Sequence, residues 1–99
     1  MANKEVITIG SLDVQMHHIA GQVTAAAQNP RIEFDDMLQE ARIGGWLGLQ
    51  GGAEKGLTGK ELRSYAFASA RNECKQAVRK LRRDVIANAS NYGLIENED

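Results

Sequence analysis

Four cations recur along one side of the C-terminal half of the chain, and their spacing suits contact with phosphate. They are Arg71, Lys75, Arg79 and Arg82. Steps of four, four and three residues place them on one stripe of an α-helix. Such a row binds a nucleic-acid backbone because each neutralised phosphate releases a condensed counterion. A solvated basic face of an amphipathic helix is the alternative, and the pattern alone does not decide between them.

Two side chains at the edge of this row suit contact with bases. Tyr65 and Asn72 fall beside the cations at helical spacing. An aromatic ring stacks on an unpaired base with little dependence on sequence, because every base has a π-face. The row and its border therefore predict a nucleic-acid contact surface.

A second candidate surface lies in residues 34–49, which are two-sided at a helical period. One side is apolar and small, as a core requires: Met37, Leu38, Ala41, Gly45, Gly48 and Leu49. The other side mixes acids and an amide with large apolar residues: Asp36, Gln39, Glu40, Ile43, Trp46 and Leu47. Apolar anchors ringed by polar groups are typical of a docking surface. A core helix buried on most sides is the alternative reading of the same pattern.

The elements that position these surfaces are all predicted to be helical. Hydrophobic periodicity indicates one all-α domain over residues 1–99, a small bundle of three to four helices within residues 11–89. Ser11 is the expected cap of the first helix and Pro30 its stop. Residues 1–10 are expected to form a strand-like or flexible arm, and residues 90–99 a frayed acidic tail.

The later helices are delimited by turn residues and by charge. Asp35 or Asp36 is expected to begin the second helix, and residues 51–59 to form a glycine-rich loop. Lys60 or Glu61 is expected to begin the longest helix, which runs to about Ala89.

Charge is distributed unevenly although the formal net charge is only −1. Residues 1–40 hold two basic and six acidic residues, whereas residues 60–84 hold eight basic and three acidic ones. An acidic docking region and a basic helix indicate two partners of opposite character. Cys74 is the only cysteine, which fits a reducing cytoplasm and a small core residue better than a reactive thiol. No apolar run approaches a membrane span.

Nothing in the chain has the pattern of an active site. His17 and His18 are adjacent, so they point about 100° apart on a helix and are interpreted as surface histidines rather than metal ligands. Glu61 follows Gly59-Lys60 where a phosphate loop requires Ser or Thr. A non-enzymatic protein is predicted, without metal, cofactor or small-molecule substrate.

Three short runs resemble region 2 of the bacterial sigma-70 family. Residues 36–44, Asp-Met-Leu-Gln-Glu-Ala-Arg-Ile-Gly, resemble its signature Asp-Leu-x-Gln-Glu-x-x-Ile-Gly. Residues 62–66, Leu-Arg-Ser-Tyr-Ala, resemble its Phe-Ser-Thr-Tyr-Ala run. Residues 70–73 and 81–83 are similar to the corresponding helix of the small extracytoplasmic-function members. The resemblance covers roughly residues 19–84 and implies a bundle like sigma region 2, of extracytoplasmic-function or phage type.

The resemblance implies a partner for each candidate surface. In that family the first signature binds the coiled coil of the RNA polymerase β′ subunit, which implies polymerase-binding roles for Asp36, Gln39, Glu40, Ile43, Trp46 and Leu47. The long helix contacts promoter DNA, which implies DNA-binding roles for Tyr65, Arg71, Asn72, Lys75, Arg79 and Arg82. A cytoplasmic location is expected, because the first ten residues lack the long apolar segment of a secretory signal and the single cysteine fits a reducing compartment.

Two departures keep three functional hypotheses open. The family's duplex-opening tryptophans fall at Ala68 and Ser69, and no second DNA-reading domain is expected before Asp99. The chain is therefore predicted to be a sigma-like regulator with incomplete promoter reading. It is alternatively a phage-type appropriator or inhibitor that occupies the sigma site without reading DNA. The third hypothesis is a small DNA-binding regulator that acts without polymerase.

Overall fold

Three α-helices form most of the described part of the chain, and the middle helix packs against both of its neighbours. This computed structural model describes the backbone of residues 6–91 and the side chains of residues 6–84. The helices are α1 (Asp13–Ala27), α2 (Phe34–Glu54) and α3 (Gly59–Asn91). The prediction of an all-α fold is confirmed within these bounds, with three α-helices where three to four were expected. Residues 90 and 91 continue α3, and the remainder of the predicted tail lies outside the described residues.

A 3₁₀ turn over Gly10–Leu12 leads into α1, where a strand-like arm and a Ser11 cap were predicted. Residues 6–10 contain no strand, and Ile7 and Ile9 pack against the core. Ser11 is bound to Thr8: its hydroxyl donates to the Thr8 carbonyl over 2.7 Å and accepts the Thr8 N–H over 3.1 Å. The prediction that Ser11 caps the first helix is therefore wrong, because its hydroxyl is hydrogen-bonded to Thr8 within this local turn. Residues 1–5, the rest of the predicted arm, lie outside the described part.

The end of α1 is set by a turn around Pro30, as predicted. Gln28 adopts a left-handed backbone with φ of 48°. The Ile32 N–H then donates to the Asn29 carbonyl over 3.0 Å, and the Arg31 N–H donates to Asn29 Oδ1 over 2.9 Å. This is a β-turn with Asn first and Pro second, positions that both residues favour. The turn places Ile32 in the core, with 6% of its surface exposed.

Helix α2 continues through two glycines that were predicted to form a loop. It ends at Glu54, and the connection to α3 is reduced to residues 55–58. The Leu57 N–H donates to the Gly52 carbonyl and the Gly56 N–H donates to the Ala53 carbonyl, each over 3.0 Å. This is a Schellman ending, with Gly56 supplying the left-handed φ of 81°. The glycine-rich loop prediction is therefore wrong for residues 51–54.

Contact with α3 is the physical reason why those glycines are helical. Gly44, Gly48 and Gly52 recur at four-residue intervals and form a glycine seam along α2. A Cβ atom at these positions would lie 2.6 Å from Glu73 Cβ, 2.7 Å from Ser69 Cβ and 2.6 Å from Leu62 Cδ1, respectively. Only hydrogen fits between the two helices at this separation, so packing against α3 outweighs the low helix propensity of glycine.

The core that results is built from small and medium side chains. All six residues predicted for the inner side of α2 are buried: Met37, Leu38, Ala41, Gly45, Gly48 and Leu49. Met16 and Ile19 of α1 and Cys74 of α3 are the largest fully buried side chains. The prediction that Cys74 is a core residue is confirmed. Among the described residues, no helix has the length and apolar character needed to cross a membrane.

Candidate docking groove and basic groove

The outer side of α2 exposes three large apolar side chains next to one another. Ile43 is 42% exposed, Trp46 49% and Leu47 47%, and we call these three residues the outer strip. The alternative of a helix buried on most sides does not hold for this face. The glycine seam and the inner residues direct these side chains outward, because α2 already packs on α1 and α3 with its other faces.

The outer strip forms one wall of a groove of about 410 Å³, which we call the apolar groove. Gln39 and Arg42 of α2 line it further, the segment before α1 supplies Ile9 and Gly10, and α1 supplies its first residue, Asp13. Gln39, Ile43, Trp46 and Leu47 were predicted as docking residues, and the structure brings these four together. The contribution of Ile9 and Gly10 was not predicted, because nothing in the local pattern indicates that the N-terminal segment reaches α2.

An ion pair holds one end of the apolar groove in place. Arg42 Nε donates to Asp13 Oδ1 over 2.8 Å, and Arg42 Nη2 donates to Asp13 Oδ2 over 3.1 Å. This two-point contact joins the first residue of α1 to the middle of α2. Hydrogen bonding from Arg42 lowers the pKa of Asp13 and raises that of Arg42 in turn. His17 Nδ1 also lies 3.4 Å from Asp13 Oδ2.

Two of the predicted docking residues lie outside the apolar groove. Glu40 faces α3 and shares a shallow depression with Glu73, Lys80 and Arg83. Its pKa is raised by partial burial first and by the neighbouring Glu73 carboxyl second. Asp36, one turn before Glu40, is exposed and adds to the negative potential there. The structure therefore separates an acidic pair, Asp36 and Glu40, from the apolar anchors of the same helix.

Three of the four predicted cations line a second groove, of about 260 Å³, between α1 and α3. Lys75, Arg79 and Arg82 form its polar side, and we call it the basic groove. Its floor is apolar: Val23, Ala26, Ala27 and Val78. Within the described part of the chain, none of these three cations makes an ion pair. Arg71 is exposed on α3 but does not line the groove.

The predicted base-contacting residues lie on the part of α3 nearer to α2. Tyr65 and Asn72 share a depression with Ala68, Ser69 and Glu73. The Nζ atom of Lys55 lies 4.9 Å from the centroid of the Tyr65 ring. A cation over an aromatic face is attracted by the ring quadrupole, so one face of Tyr65 already has a partner. Neither Tyr65 nor Asn72 lines the basic groove.

The two positions that correspond to the family's tryptophans in the resemblance carry small side chains, Ala68 and Ser69. Ser69 packs over the glycine seam, where its Cβ atom would lie only 2.7 Å from a Cβ atom at Gly48. Ser69 is half-buried at this contact. Ala68 is exposed but carries only a methyl group.

The described side chains form neither a group of metal ligands nor an exposed reactive thiol. No group of three His, Cys, Asp or Glu residues among them is arranged to hold a metal ion. Cys74 Sγ lies 3.4 Å from the Met37 carbonyl oxygen, to which the thiol donates. Burial raises the pKa of Cys74 to about 11, so the thiol stays protonated at neutral pH.

Comparison of this chain with models of known families, with curated proteins and with solved structures gives no match.

Proposed function

We propose that this chain is a sigma-like transcription regulator that docks on bacterial core RNA polymerase and contacts promoter DNA through α3. The observation that carries the proposal is the outer strip. Ile43, Trp46 and Leu47 are each between 42% and 49% exposed on a helix whose inner side is buried. Ile43 lies within residues 36–44, which resemble the polymerase-binding signature of the sigma-70 family, and Trp46 and Leu47 follow in the same helix.

The apolar groove supports docking in physical terms. A tryptophan beside two aliphatic side chains supplies the kind of anchors that dominate binding energy at protein interfaces. Gln39 and the Asp13–Arg42 pair at its border supply polar groups that orient a partner. The coiled coil of the β′ subunit is the partner that the resemblance implies.

The basic face of α3 supports contact with nucleic acid. Lys75, Arg79 and Arg82 make no ion pair within the described residues, so their full charge is available to phosphate. The acidic N-terminal third repels DNA, which restricts DNA contact to α3. We therefore propose a binding role without catalysis, metal or cofactor, exerted in the cytoplasm where the polymerase works.

A second function is favoured by a specific observation. Ser69 is packed over Gly48, and the ring of Tyr65 is covered on one face by Lys55. The residues that would open the promoter, Ala68 and Ser69, are thus small, and the residue that would read it, Tyr65, already contacts Lys55. An appropriator or inhibitor that occupies the sigma site without reading DNA needs neither of them.

Retention of the chain by immobilised core RNA polymerase tests the docking. Replacing Trp46 and Leu47 together with alanine is expected to lower the affinity at least tenfold, because truncating anchor residues commonly costs about 2 kcal/mol or more. Val14→Ala is the matched control, since Val14 is 79% exposed on α1, away from the groove. Equal retention of all three proteins would contradict the proposal.

Transcription from a defined template separates the two functions. A sigma-like regulator supports or redirects initiation, and the triple change Lys75→Ala, Arg79→Ala, Arg82→Ala abolishes that effect. A competitor only lowers initiation and keeps its effect after the triple change. Specific duplex binding without polymerase, with a salt dependence reduced by the same triple change, would instead indicate an independent DNA-binding regulator.

A further inference from the structure

The basic groove combines two features that a solvated helix face does not need. Its apolar floor is supplied by both helices, with Val23 and Ala26 from α1 and Val78 from α3. Its three cations make no ion pair within the described side chains. At about 260 Å³ the groove has room for one aromatic ring, since a cavity of about 150 Å³ holds benzene. A fitting occupant therefore carries an apolar side chain bordered by acids.

The start of α2 presents such a group on the surface of the same chain. Phe34, the first residue of the helix, is 38% exposed. Glu33 and Asp35 flank it and Asp36 follows, and all three acids are exposed. None of these acids makes an ion pair within the described part of the chain. We call residues 33–36 the acidic segment, and its three acids match the three cations of the basic groove in number and opposite charge.

The acidic segment lies away from the basic groove of its own chain. The Phe34 ring packs beside α1, with its centroid 6.0 Å from that of the His17 ring and its Cε2 atom 3.9 Å from the position of a Cβ atom at Gly21. At about 100° per residue, these two positions of α1 lie opposite Val23 and Ala26, which line the groove. The acidic segment therefore meets a basic groove only on another copy.

From this complementarity we infer that the basic groove binds the acidic segment of a second copy of this chain. Phe34 covers the apolar floor, and the three acids beside it pair with Lys75, Arg79 and Arg82. Because two different surfaces meet, the copies associate head to tail. This association needs neither DNA nor polymerase. Its consequence rests on the proposed function: the bound segment covers cations that α3 otherwise presents to DNA.

Sedimentation equilibrium of the full chain at low ionic strength tests the association. The average mass is expected to rise with protein concentration. In high salt it is expected to return to the mass of the monomer, because salt screens exposed charges. A chain that stays monomeric at every concentration in low salt overturns the inference.

Reversing charges in the acidic segment locates the contact. Glu33→Lys with Asp35→Lys, the segment variant, is expected to weaken association about tenfold or more, since like charges then face each other. Glu54→Lys with Glu61→Lys is the matched control, because these two exposed acids lie outside both surfaces. The control is expected to associate as the wild type does. If it weakens as much as the segment variant, the inference is overturned.

A charge swap then tests whether the segment and the groove meet each other. Lys75→Glu with Arg79→Glu, the groove variant, is expected to weaken association as much as the segment variant. The combination of all four changes has the net charge of the wild type and again places opposite charges at the contact. It is expected to regain most of the lost association. A combined variant that keeps its helices by circular dichroism but does not associate overturns the inference.

The apolar part of the contact is tested without any change of charge. Phe34→Ala is expected to weaken association severalfold, because the floor of the groove is then left uncovered. Val14→Ala is its control, since Val14 is an exposed apolar residue of α1 that does not line the groove. Equal association of the two variants contradicts the insertion of Phe34 into the groove.

Binding of a short oligothymidylate tests the consequence. At a protein concentration where the wild type associates, the segment variant is expected to bind oligothymidylate severalfold more tightly than the control of equal net charge, because its groove is free. A monomeric chain that binds oligothymidylate would overturn the inference and support the proposed function. Association without any oligothymidylate binding would confirm the inference and contradict the DNA-contact part of the proposed function. The two failures are therefore distinguishable.

Discussion

Both sides of α2 carry large apolar side chains, yet the fold buries those of one side and exposes those of the other. On the inner side, Ala41 is fully buried and Leu49 is 8% exposed. On the outer side of the same helix, Trp46 is 49% exposed and Leu47 is 47% exposed. Both sides therefore carry large apolar side chains, but folding buries only those of the inner side.

The glycine seam explains this difference. Gly44 and Gly48 bring α2 so close to α3 that the rotation of α2 about its own axis is fixed. Ile43 and Leu47, each one residue before a seam glycine, are then turned toward solvent. The outer strip is therefore not exposed because the core is loosely packed. Its exposure follows from packing that is already tight, and exposed apolar groups of this kind mark interaction sites.

The largest expected effect is on the inner side, at the seam. Gly48→Ala is expected to lower the free energy of unfolding by about 2–3 kcal/mol, the usual cost of overpacking a tight core. The added Cβ would lie 2.8 Å from the Ala66 Cα atom and 2.7 Å from the Ser69 Cβ atom, so the helices must separate. Urea denaturation followed by circular dichroism measures the change.

Gly51→Ala is the matched control for this substitution. The same added methyl group meets only the Tyr65 ring at 3.6 Å, which is an ordinary contact distance. Because alanine is the better helix former, this variant is expected to gain up to about 1 kcal/mol. If the two variants lose similar stability, the glycine seam does not fix α2.

Local pattern was sufficient to predict the inner side of α2. All six residues placed there are buried, and the end of α1 before Pro30 is as predicted, because both depend on near neighbours in sequence. The helical state of residues 51–54 was missed for the opposite reason. Glycines indicate a loop when judged locally, and only the approach of Leu62 and Tyr65 from α3 explains why they are helical.

The candidate sites show the same limit of local pattern. The outer strip was identified because its spacing is helical, but the Asp13–Arg42 pair joins residues 29 positions apart. The approach of Glu73 to Glu40 likewise depends on how α2 meets α3. Periodicity also placed Glu40 on the same side of α2 as the outer strip. The sequence spacing does not show that a residue at the edge of that side, such as Glu40, faces α3 instead.

A smaller effect is expected when the outer strip is made polar. Leu47→Ser is expected to lower the free energy of unfolding by about 1 kcal/mol, since a side chain that is 47% exposed contributes only part of the value of full burial. The measurement is the same denaturation series. A loss of stability as large as that of Gly48→Ala would contradict the distinction between the two sides of α2, because Leu47 would then belong to the core.

The smallest effect is expected at Glu40, on the border between the two sides of α2. Partial burial and the Glu73 carboxyl raise the pKa of Glu40 in the folded chain above its usual value of 4.5. The folded state therefore holds this proton more tightly than the unfolded state, and stability falls as pH rises from the unfolded to the folded pKa. At neutral pH the ionised Glu40 opposes folding, so Glu40→Gln is expected to stabilise the protein. The gain is expected to be only a few tenths of a kcal/mol, because solvent screens the repulsion between two partly exposed carboxyls.

The coupling between the two carboxyls is tested by a double variant. Glu73→Gln is expected to give part of the same gain in stability, and the double variant is expected to gain less than the sum of the two single variants. Fully additive gains in denaturation at neutral pH would show that the two carboxyls do not interact across α2 and α3.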